Sequence, residues 1–330
     1  MIKCLVMFSG GLDSTVAVHL LKSQGIEVVG LHFVLPFYSG LGNDHSTIRE
    51  RSKALGIPLR IVEEGEDYLT MFKDPHFGYG KNINPCLDCR IHRLEKASTI
   101  MRQEGASFIA TGEVVGQRPM SQRRDCLDII EKRTGLRGLL LRPLSAGLLR
   151  PTIPENEGWV DRNKLLSIGG RGRKDQIAYA TAHGLSYPSP GGGCILTNEQ
   201  TALRFSELIR SSPGFSLLDF KLLAYGRHFR INPELRFVVA RDDGENGVLE
   251  KLLSSDDYCL SMTDVLGPLG ILRTGRAASY QELEKACSII ARYSKARSQP
   301  SVRVSISRNA AISIVTVRPA MEKECEAYRI

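Results

Sequence analysis

The residues at positions 9 to 15 combine hydroxyl groups, two glycines and one carboxylate at a spacing suited to phosphate binding. They read Ser-Gly-Gly-Leu-Asp-Ser-Thr and follow the short apolar run 4–8. Gly10 and Gly11 permit a tight turn and a close approach of the backbone to a ligand. The N–H groups at the beginning of the helical stretch that follows would converge on an anion. The carboxylate of Asp13 beside such a phosphate site fits a divalent cation such as Mg²⁺, whereas a plain capped turn without a ligand is the alternative.

Three cysteines form a second candidate centre. Cys86 and Cys89 make a Cys-x-x-Cys pair, and Cys194 follows the glycine run 191–193, which is expected to expose its thiol in a crevice. This spacing is compatible with zinc, an iron–sulfur cluster or a redox disulfide. Three thiolates around an open position suit a [4Fe–4S] cluster with one iron left for sulfide. They equally suit a persulfide relay, in which one cysteine carries sulfur and another resolves it. The other five cysteines have no partner at motif spacing and are predicted to be structural.

The elements that must position these groups alternate between strand and helix, which predicts an α/β fold with a parallel sheet and helices on both faces. Ligands of such folds lie at the carboxyl ends of the strands. The loop 9–14, the strand end His32-Phe33 and Thr111-Gly112-Glu113 are therefore expected to face one nucleotide-binding crevice. The predicted strands are 3–8, 27–34, 59–64, 107–113 and a strand ending in 141–145; the predicted helices are 14–23, 44–55, 90–104, 161–183 and 199–210.

The stretch TGEVVGQRPMSQRR at 111–124 suits recognition of a nucleic acid. Gln117 and Gln122 offer amide groups, Ser121 offers a hydroxyl group, and Arg118 offers a phosphate contact. A solvated basic turn is the alternative.

Three motifs carry a resemblance to a known family. SGGLDS at 9–14 resembles the SGGxDS signature of the PP-loop ATP pyrophosphatases, and TGEVVGQRPMSQ and LLRPLS resemble stretches of tRNA 4-thiouridine synthetases. The resemblance covers residues 1 to about 197. It implies an adenine nucleotide alpha hydrolase-like fold, and an enzyme that uses ATP to adenylate a uridine carbonyl of tRNA and then replaces its oxygen by sulfur.

The resemblance also implies roles for particular residues. Asp13 would act with Mg²⁺, and the three cysteines would be catalytic and would hold a [4Fe–4S] cluster. The tRNA would contact the four polar residues named at 117–122. The pyrophosphate of ATP would contact Ser9, Gly10, Gly11, Ser14 and Thr15.

Beyond Cys194 the chain continues with the predicted helix 199–210 and then short alternating segments, which predicts a smaller α+β domain with a boundary near 198–212. We therefore expect a catalytic domain at 1–200 and a second domain at 205–330. Two strings in the tail, LLAYGRHFRI and FVVARDDGENGVLEKLL, resemble the NFACT-type RNA-binding module. The resemblance makes four residues candidates for contacts with the RNA backbone: Arg227, His228, Arg230 and Arg241. A THUMP-type domain before the PP-loop and a rhodanese-like domain after it are expected to be absent.

The bulk properties favour a cytoplasmic protein with a polyanionic partner. The 330-residue chain carries a net charge of +8, which favours such partners. Its longest apolar runs fall short of the roughly 20 residues of a membrane span, and no signal peptide is evident. An ATP-dependent tRNA sulfurtransferase is the leading expectation, with sulfide or a persulfide carrier as sulfur donor. The alternatives are a 2-thiouridylase using a cysteine persulfide, a PP-loop ligase or amidotransferase with structural zinc, and an inactive RNA-binding factor. The modified position, the donor and the oligomeric state are left open.

Overall fold

The computed structural model describes residues 1–38, 41, 45–189 and 194–330. The chain divides into two compact units, Met1–Gly193 and Cys194–Ile330. The first residue of the predicted helix 44–55 and the glycine run 191–193 lie outside the described residues.

The first unit follows the predicted alternation of strands and helices. Its strands are β1 (Lys3–Met7), β2 (Glu27–Val34), β3 (Leu59–Glu63), β4 (Phe108–Thr111) and β5 (Leu140–Leu141). Its α-helices are α1 (Leu12–Lys22), α2 (Ser46–Ala54), α3 (Glu66–Lys73), α4 (Cys86–Gln103), α5 (Arg124–Arg133), α6 (Ile153–Asn156) and α7 (Lys174–Ala182).

The sheet of this unit is parallel, with the strand order β3-β2-β1-β4-β5. Side chains of β1 alternate between two cores, as expected for a strand covered on both faces. Cys4 and Val6 lie in a core with residues of α1 and α7. Leu5 lies in the opposite core with residues of α4 and α5. The predicted α/β fold class is therefore confirmed.

The predicted helix 161–183 is only partly correct. Residues Arg162–Lys164 form a short 3₁₀ turn, and the α-helix begins at Lys174. The chain between them contains Gly169 and Gly170, and Gly170 has a φ of +85°. A left-handed backbone at that position interrupts a right-handed helix, so the apolar spacing of the region does not produce one continuous helix.

The second unit is α+β, as predicted. Its strands are β6 (Arg227–Asn232), β7 (Leu235–Val239), β8 (Tyr258–Met262), β9 (Gly270–Arg273), β10 (Val302–Arg308) and β11 (Ala311–Val317). Its helices are α8 (Glu199–Ser211), α9 (Leu217–Leu222), α10 (Asp243–Leu252), α11 (Tyr280–Arg292) and α12 (Glu322–Glu326).

The antiparallel sheet of this unit has the order β11-β10-β8-β9-β7-β6, and α11 packs on it in a shared core. The segment SIIARYSKAR, grouped with the alternating segments in the sequence, begins inside α11 because its apolar residues face this core.

Across the described part of the chain, no helix has both the length and the apolar character needed to span a membrane.

Candidate active site

The carboxyl ends of β1, β2 and β4 border a crevice of about 280 Å³ in the first unit. The structure brings together there most of the residues that the sequence assigned to ATP and tRNA. Those that line the crevice are Ser9, Asp13, Ser14, His32, Phe33, Thr111, Gly112, Gln117, Arg118 and Gln122. Glu113, Arg90 and Arg93 line it as well. The parallel topology causes this arrangement, because it places the ends of the strands at one edge of the sheet.

The loop between β1 and α1 has the geometry of an anion site. Gly10 has a φ of +71°, and a Cβ at that position would lie 2.7 Å from the side chain of Ile48, so the turn requires glycine. Gly11 is the N-cap of α1 and provides no side-chain cap. The hydroxyl of Ser14 donates to the carbonyl oxygen of Gly11 at 2.9 Å. A phosphate group therefore fits at the N-terminus of α1. It would accept hydrogen bonds from the unpaired backbone N–H groups there and would lie at the positive end of the helix dipole.

Gly112 fixes the distance between β4 and this loop. A Cβ on Gly112 would lie 2.6 Å from both the carbonyl carbon of Asp13 and the nitrogen of Ser14. Both atoms are backbone, so they cannot move aside as the end of a flexible side chain could. The close approach of the two chain segments gives the crevice its shape.

Asp13 is partly buried, and only one of its two carboxylate oxygens has a hydrogen-bond partner. Its Oδ2 accepts a hydrogen bond from Gln117 Nε2 at 3.2 Å and lies 3.9 Å from a guanidinium nitrogen of Arg173. Its Oδ1 is buried and has no hydrogen-bond partner. A buried carboxylate oxygen without a partner beside a phosphate site fits a hard divalent cation, so the donor set present is compatible with Mg²⁺.

Glu113 anchors an ion-pair network behind the crevice. Its carboxylate oxygens lie 3.0 Å from Arg90 Nε and 3.1 Å from Arg142 Nε, and Thr111 Oγ1 donates to it at 3.2 Å. Burial by itself raises the pKa of Glu113, but the charges of Arg90 and Arg142 outweigh it and the net direction is downward. Glu113 is therefore ionised at neutral pH and holds Arg90 at the crevice wall.

The Cys-x-x-Cys pair lies inside a helix, which corrects the prediction of a turn before a helix beginning near Arg90. Helix α4 begins at Cys86, with Pro85 as N-cap and Asp88 in its first turn. The Asp88 carboxylate also accepts the backbone N–H of Phe77 at 3.1 Å. A proline followed by an early acidic residue is a helix-start signal, so the sequence contained the information needed to place this boundary.

This boundary links the cysteines to the crevice. Residues three and four apart lie on one face of a helix. Cys86, Cys89, Arg90 and Arg93 therefore form one stripe along α4. Since Arg90 and Arg93 line the crevice, each cysteine lies about one helical turn of roughly 5.4 Å from a crevice-lining arginine. The sequence motifs did not point to Arg90 and Arg93, because which side chains of α4 face the crevice depends on where the helix begins.

Each thiol of the pair receives a side-chain donor. Asn84 Nδ2 donates to Cys86 Sγ at 3.0 Å, and the hydroxyl of Tyr68 donates to Cys89 Sγ at 3.7 Å. Tyr68 is fully buried and both cysteines are half-buried. The loop that presents Asn84 contains Ile83 with a φ of +59°, an uncommon and strained conformation for a β-branched residue. The two sulfur atoms are thus held in fixed positions near the surface.

An acidic cluster beside the pair is an ion-pair network. Glu64, Asp67 and His92 offer ligand atoms within 4.8 Å of one another. However, the ammonium group of Lys96 contacts both carboxylates, at 2.6 Å from Asp67 Oδ2. A cationic side chain therefore already neutralises the position that a metal would take.

Some predicted residues do not line the crevice. Thr15 and Ser121 are buried, and Gly10 and Gly11 of the loop are not among the lining residues either. Cys194 is half-buried and belongs to the second unit, where it precedes the 3₁₀ turn Ile195–Thr197. The glycine run 191–193, which was expected to bring it into the crevice, lies outside the described residues.

The predicted RNA contacts of the tail have different surroundings. Arg227 donates to the carbonyl oxygen of Ala240 at 2.9 Å. Arg230 is committed to Glu207, to the hydroxyl of Ser211 and to the carbonyl oxygen of Pro233. His228 is 1% exposed, and burial followed by the nearby charges of arginines holds its pKa well below the usual value. The prediction that His228 contacts RNA is therefore wrong. His228 and the adjacent Phe229 point to opposite faces of β6 and both are buried, so the face that carries His228 is covered as well.

Comparison with known families agrees with this architecture. Residues 2–133 match the tRNA methyl transferase HUP domain, and residues 226–329 match the NFACT protein RNA binding domain. The first unit therefore contains a domain of this HUP type, which is the PP-loop type of domain that the motif at 9–14 predicted. The second carries an NFACT-type RNA-binding domain. Both recognitions made from the sequence motifs are confirmed.

Individual relatives extend the comparison. The tRNA-specific 2-thiouridylase of Trichlorobacter lovleyi is 28% identical over 242 residues, which cover 69% of this chain and 64% of that protein. The tRNA-specific 2-thiouridylase of Syntrophotalea carbinolica is 37% identical over 119 residues, 33% of each chain. Among solved structures, a U34-tRNA thiolase of Methanococcus maripaludis with its [4Fe–4S] cluster is 18% identical at a TM-score of 0.35, covering 68% of this chain and 73% of that one. The chain spans less than two thirds of the length of these two curated relatives.

Proposed function

We propose that this chain is an ATP-dependent tRNA sulfurtransferase that adenylates a uridine carbonyl and replaces its oxygen by sulfur. The observation that carries the proposal is the stripe on α4. It joins a Cys-x-x-Cys pair to the crevice of the phosphate-binding loop on one rigid element. A nucleotide site and a thiol pair positioned by the same helix suit a reaction that first activates an oxygen and then delivers sulfur to the carbon that carries it.

In this proposal the loop residues bind and orient ATP. Ser9 and the N-terminal backbone donors of α1 bind its pyrophosphate portion. Asp13 holds Mg²⁺, which offsets charge on the phosphates when it is bound. Arg90, held by Glu113, faces the same crevice and stabilises negative charge as pyrophosphate departs.

The chemistry requires two displacements, the first at the α-phosphorus of ATP and the second at the ring carbon that carries the activated oxygen. The uridine carbonyl oxygen attacks the α-phosphorus of ATP, a P–O bond forms, and the bond to the β-phosphate breaks to release pyrophosphate. A sulfur nucleophile then attacks the ring carbon, and the C–O bond breaks to release AMP. Adenylation is needed because oxide is a poor leaving group, whereas AMP is a good one.

We further propose that Cys86 and Cys89, together with Cys194, hold the sulfur that is transferred, which sulfide or a persulfide carrier donates. With three thiolate ligands, a [4Fe–4S] cluster would supply an open iron that binds sulfide. The donors Asn84 and Tyr68 fit anionic sulfur, because hydrogen bonds to a charged acceptor are the stronger kind. A cysteine persulfide is the alternative form of the sulfur, and structural zinc is the alternative metal.

The test is formation of pyrophosphate and AMP with an unmodified tRNA transcript. Wild-type protein is expected to release pyrophosphate in a tRNA-dependent manner. Asp13→Asn, which preserves volume, is expected to abolish release while the far-UV spectrum and thermal unfolding stay unchanged. Cys86→Ser is the matched variant: it is expected to keep pyrophosphate release and to lose thiouridine, measured by nucleoside mass spectrometry.

Two results would contradict the proposal. Pyrophosphate release that does not respond to tRNA points to a ligase or amidotransferase acting on a small metabolite. Full thiouridine formation by Cys86→Ser removes the cysteine pair from the reaction. Anaerobic reconstitution with iron and sulfide separates the two sulfur chemistries: thiolation from a persulfide donor without the broad visible absorbance of a cluster excludes the cluster.

A further inference from the structure

The two edges of the antiparallel sheet in the second unit differ in how they are covered. At the β6 edge, the C-terminal residues run beside the strand. The N–H of Arg230 donates to the carbonyl oxygen of Tyr328 at 2.7 Å, and the N–H of Ile330 donates to that of His228 at 3.0 Å. The opposite edge is β11, and among the described residues only β10 hydrogen-bonds to it. An open edge of this kind is a template for a further strand.

The hairpin of β10 and β11 decides which backbone groups point to the open edge. A two-residue turn at 309–310, with positive φ at both positions, makes Arg308 and Ala311 the first pair of the hairpin. That pair is hydrogen-bonded, so every second residue of β11 bonds to β10 and the residues between them point outward. The carbonyl oxygen of Arg303 bonds on the β8 side, to the N–H of Thr263 at 3.2 Å, as this alternation requires. The outward residues are Ile312, Ile314 and Thr316.

The open edge has none of the features that normally prevent strands from pairing. Natural sheet edges are protected by charged side chains, proline or a bulge. The seven residues AISIVTV of β11 contain no charge and no proline, and their register with β10 is continuous. Ile312 and Ile314 are 73% and 54% exposed. The residues opposite them on β10 are Ser307 and Ser305, which are too small to cover the two isoleucines.

We infer that β11 is the interaction surface for a second copy of this chain, through antiparallel pairing of the two β11 strands about a two-fold axis at Ile314. The inference is independent of the proposed function. It assigns an oligomeric state, which the sequence motifs left open.

A second copy fits this edge because β11 is complementary to itself in one register. With the axis at Ile314, that residue faces its own copy, and Ile312 faces Thr316 of the other chain. Each of these pairs joins residues whose backbone groups point outward, so each exchanges both of its hydrogen bonds. The isoleucines and threonines then lie side by side on one face of a continuous sheet, where cross-strand pairs of β-branched residues are favourable.

Charge and symmetry also favour a second copy. Each chain has a net charge of +8, but the paired strands are neutral and bring no like charges together. Arg318, the first charged residue after β11, pairs with Glu324 at 3.1 Å. A two-fold contact uses the same surface on both chains and therefore closes at two copies. The β6 edge of each copy is covered by its own C-terminus, so the sheet does not grow further.

The contact is expected to be reversible. One strand paired with one strand is smaller than a standard interface, which buries about 1,600 Å². We therefore expect a dimer that dissociates on dilution.

The test is sedimentation velocity of the full chain over a dilution series. The average mass of the wild type is expected to rise with concentration toward twice the 36.5 kDa of one chain. Ile314→Lys places two ammonium groups opposite each other at the axis, and like charges directly opposite destabilise strand pairing. This variant is expected to keep the mass of one chain at concentrations where the wild type is a dimer.

Leu203→Lys is the matched control. Leu203 is a 60% exposed apolar residue of α8, and Glu207 of the same helix contacts β6 and β7 at the other end of the sheet. The control is expected to dimerise as the wild type does. Both substituted side chains are exposed, so thermal unfolding of both variants is expected to match the wild type.

A cross-linking measurement checks the register. Hydrogen-bonded antiparallel neighbours have Cα atoms about 5.5 Å apart, which is within the range that a disulfide spans. Under a mild oxidant, Ile314→Cys is expected to give a covalent dimer whose peptides are joined at position 314 of both chains, identified by mass spectrometry. Leu203→Cys, the control, is expected to give no such link at position 203.

The outcomes separate cleanly. A wild-type chain that keeps the mass of one chain throughout the series overturns the inference. A dimer that persists in Ile314→Lys, or that is lost equally in Leu203→Lys, also overturns it, because the contact then does not depend on β11. A mass that rises beyond two copies contradicts the two-fold closure. None of these results affects the proposed function, which pyrophosphate release and thiouridine formation test separately.

Discussion

Replacing Gly112 by alanine is expected to damage the nucleotide site through a single methyl group. The added Cβ would lie 2.6 Å from the backbone of Asp13 and of Ser14, where ordinary contact begins at 3.4 Å. The loop between β1 and α1 would therefore have to retreat from β4 by about 0.8 Å. The obstacle is backbone at the start of a packed helix, so the strain cannot be relieved by a change of rotamer.

The size of the effect follows from this displacement. Overpacking of this kind costs about 1–3 kcal/mol of folding free energy, which lowers the melting temperature of a unit this size by roughly 2–4 °C per kcal/mol. A hydrogen bond of about 2.9 Å to a phosphate oxygen would lengthen beyond the range in which it is effective. One lost hydrogen bond to a charged group is worth about 1.5–3 kcal/mol, so ATP affinity is expected to fall by about 10- to 150-fold.

The assay is ATP binding by calorimetry, together with urea unfolding of the same preparations. Gly172→Ala is the matched control, because a Cβ there has nothing within 4 Å and the residue has no positive φ. The control is expected to match the wild type in both measurements. If Gly112→Ala binds ATP as the wild type does and unfolds within about 0.5 kcal/mol of it, the close approach of β4 does not shape the nucleotide site.

Two further predictions concern the first unit and the cysteines. Glu113→Gln is expected to cost about 1–3 kcal/mol of stability in urea, because it removes the ion pair of Arg90 and one of the two counter-charges of the buried Arg142, leaving Glu131. A loss below about 0.5 kcal/mol would contradict the network. The folded-state pKa of Glu113 is lowered, so its contribution to the free energy of unfolding is complete above the unfolded pKa of about 4.3 and is lost as pH falls through the lower folded pKa. The urea midpoint of the wild type should therefore drop below about pH 4. Glu113→Gln should lack the part of this drop that comes from Glu113. Iodoacetamide under native conditions is expected to modify Cys86 before Cys287, because Cys86 is half-buried while burial raises the pKa of Cys287 to about 12. Peptide mass spectrometry over time checks the order, and equal rates would refute it.

The local features of the nucleotide site could be read from the sequence. The run 9–15 contains both the glycines of the turn and the residues that begin α1, so its geometry depends on neighbours in the chain. The alternation of strands and helices likewise predicted the parallel sheet, and the rule on strand ends predicted that Thr111 and His32 share a crevice with that loop. Each inference used an interaction between residues close in sequence or a general property of one fold class.

Features that depend on helix phase or on side-chain direction were less accessible. The start of α4 was placed four residues too late, which concealed the stripe that connects Cys86 to Arg90. His228 lies between basic residues in the sequence, as an RNA contact could, yet both faces of β6 are covered at His228 and Phe229.

By itself, the sequence determined the phosphate-binding turn, the fold class and the presence of a cysteine pair, because these depend on contiguous residues and on periodic burial. Only the tertiary structure decided which distant polar and charged groups meet: Glu113 between Arg90 and Arg142, and Asp13 beside Gln117 and Arg173. Electrostatic interactions act through space and depend on burial. Residues more than a hundred positions apart in the chain can therefore form one charged site, and a linear sequence contains no direct signal for that proximity.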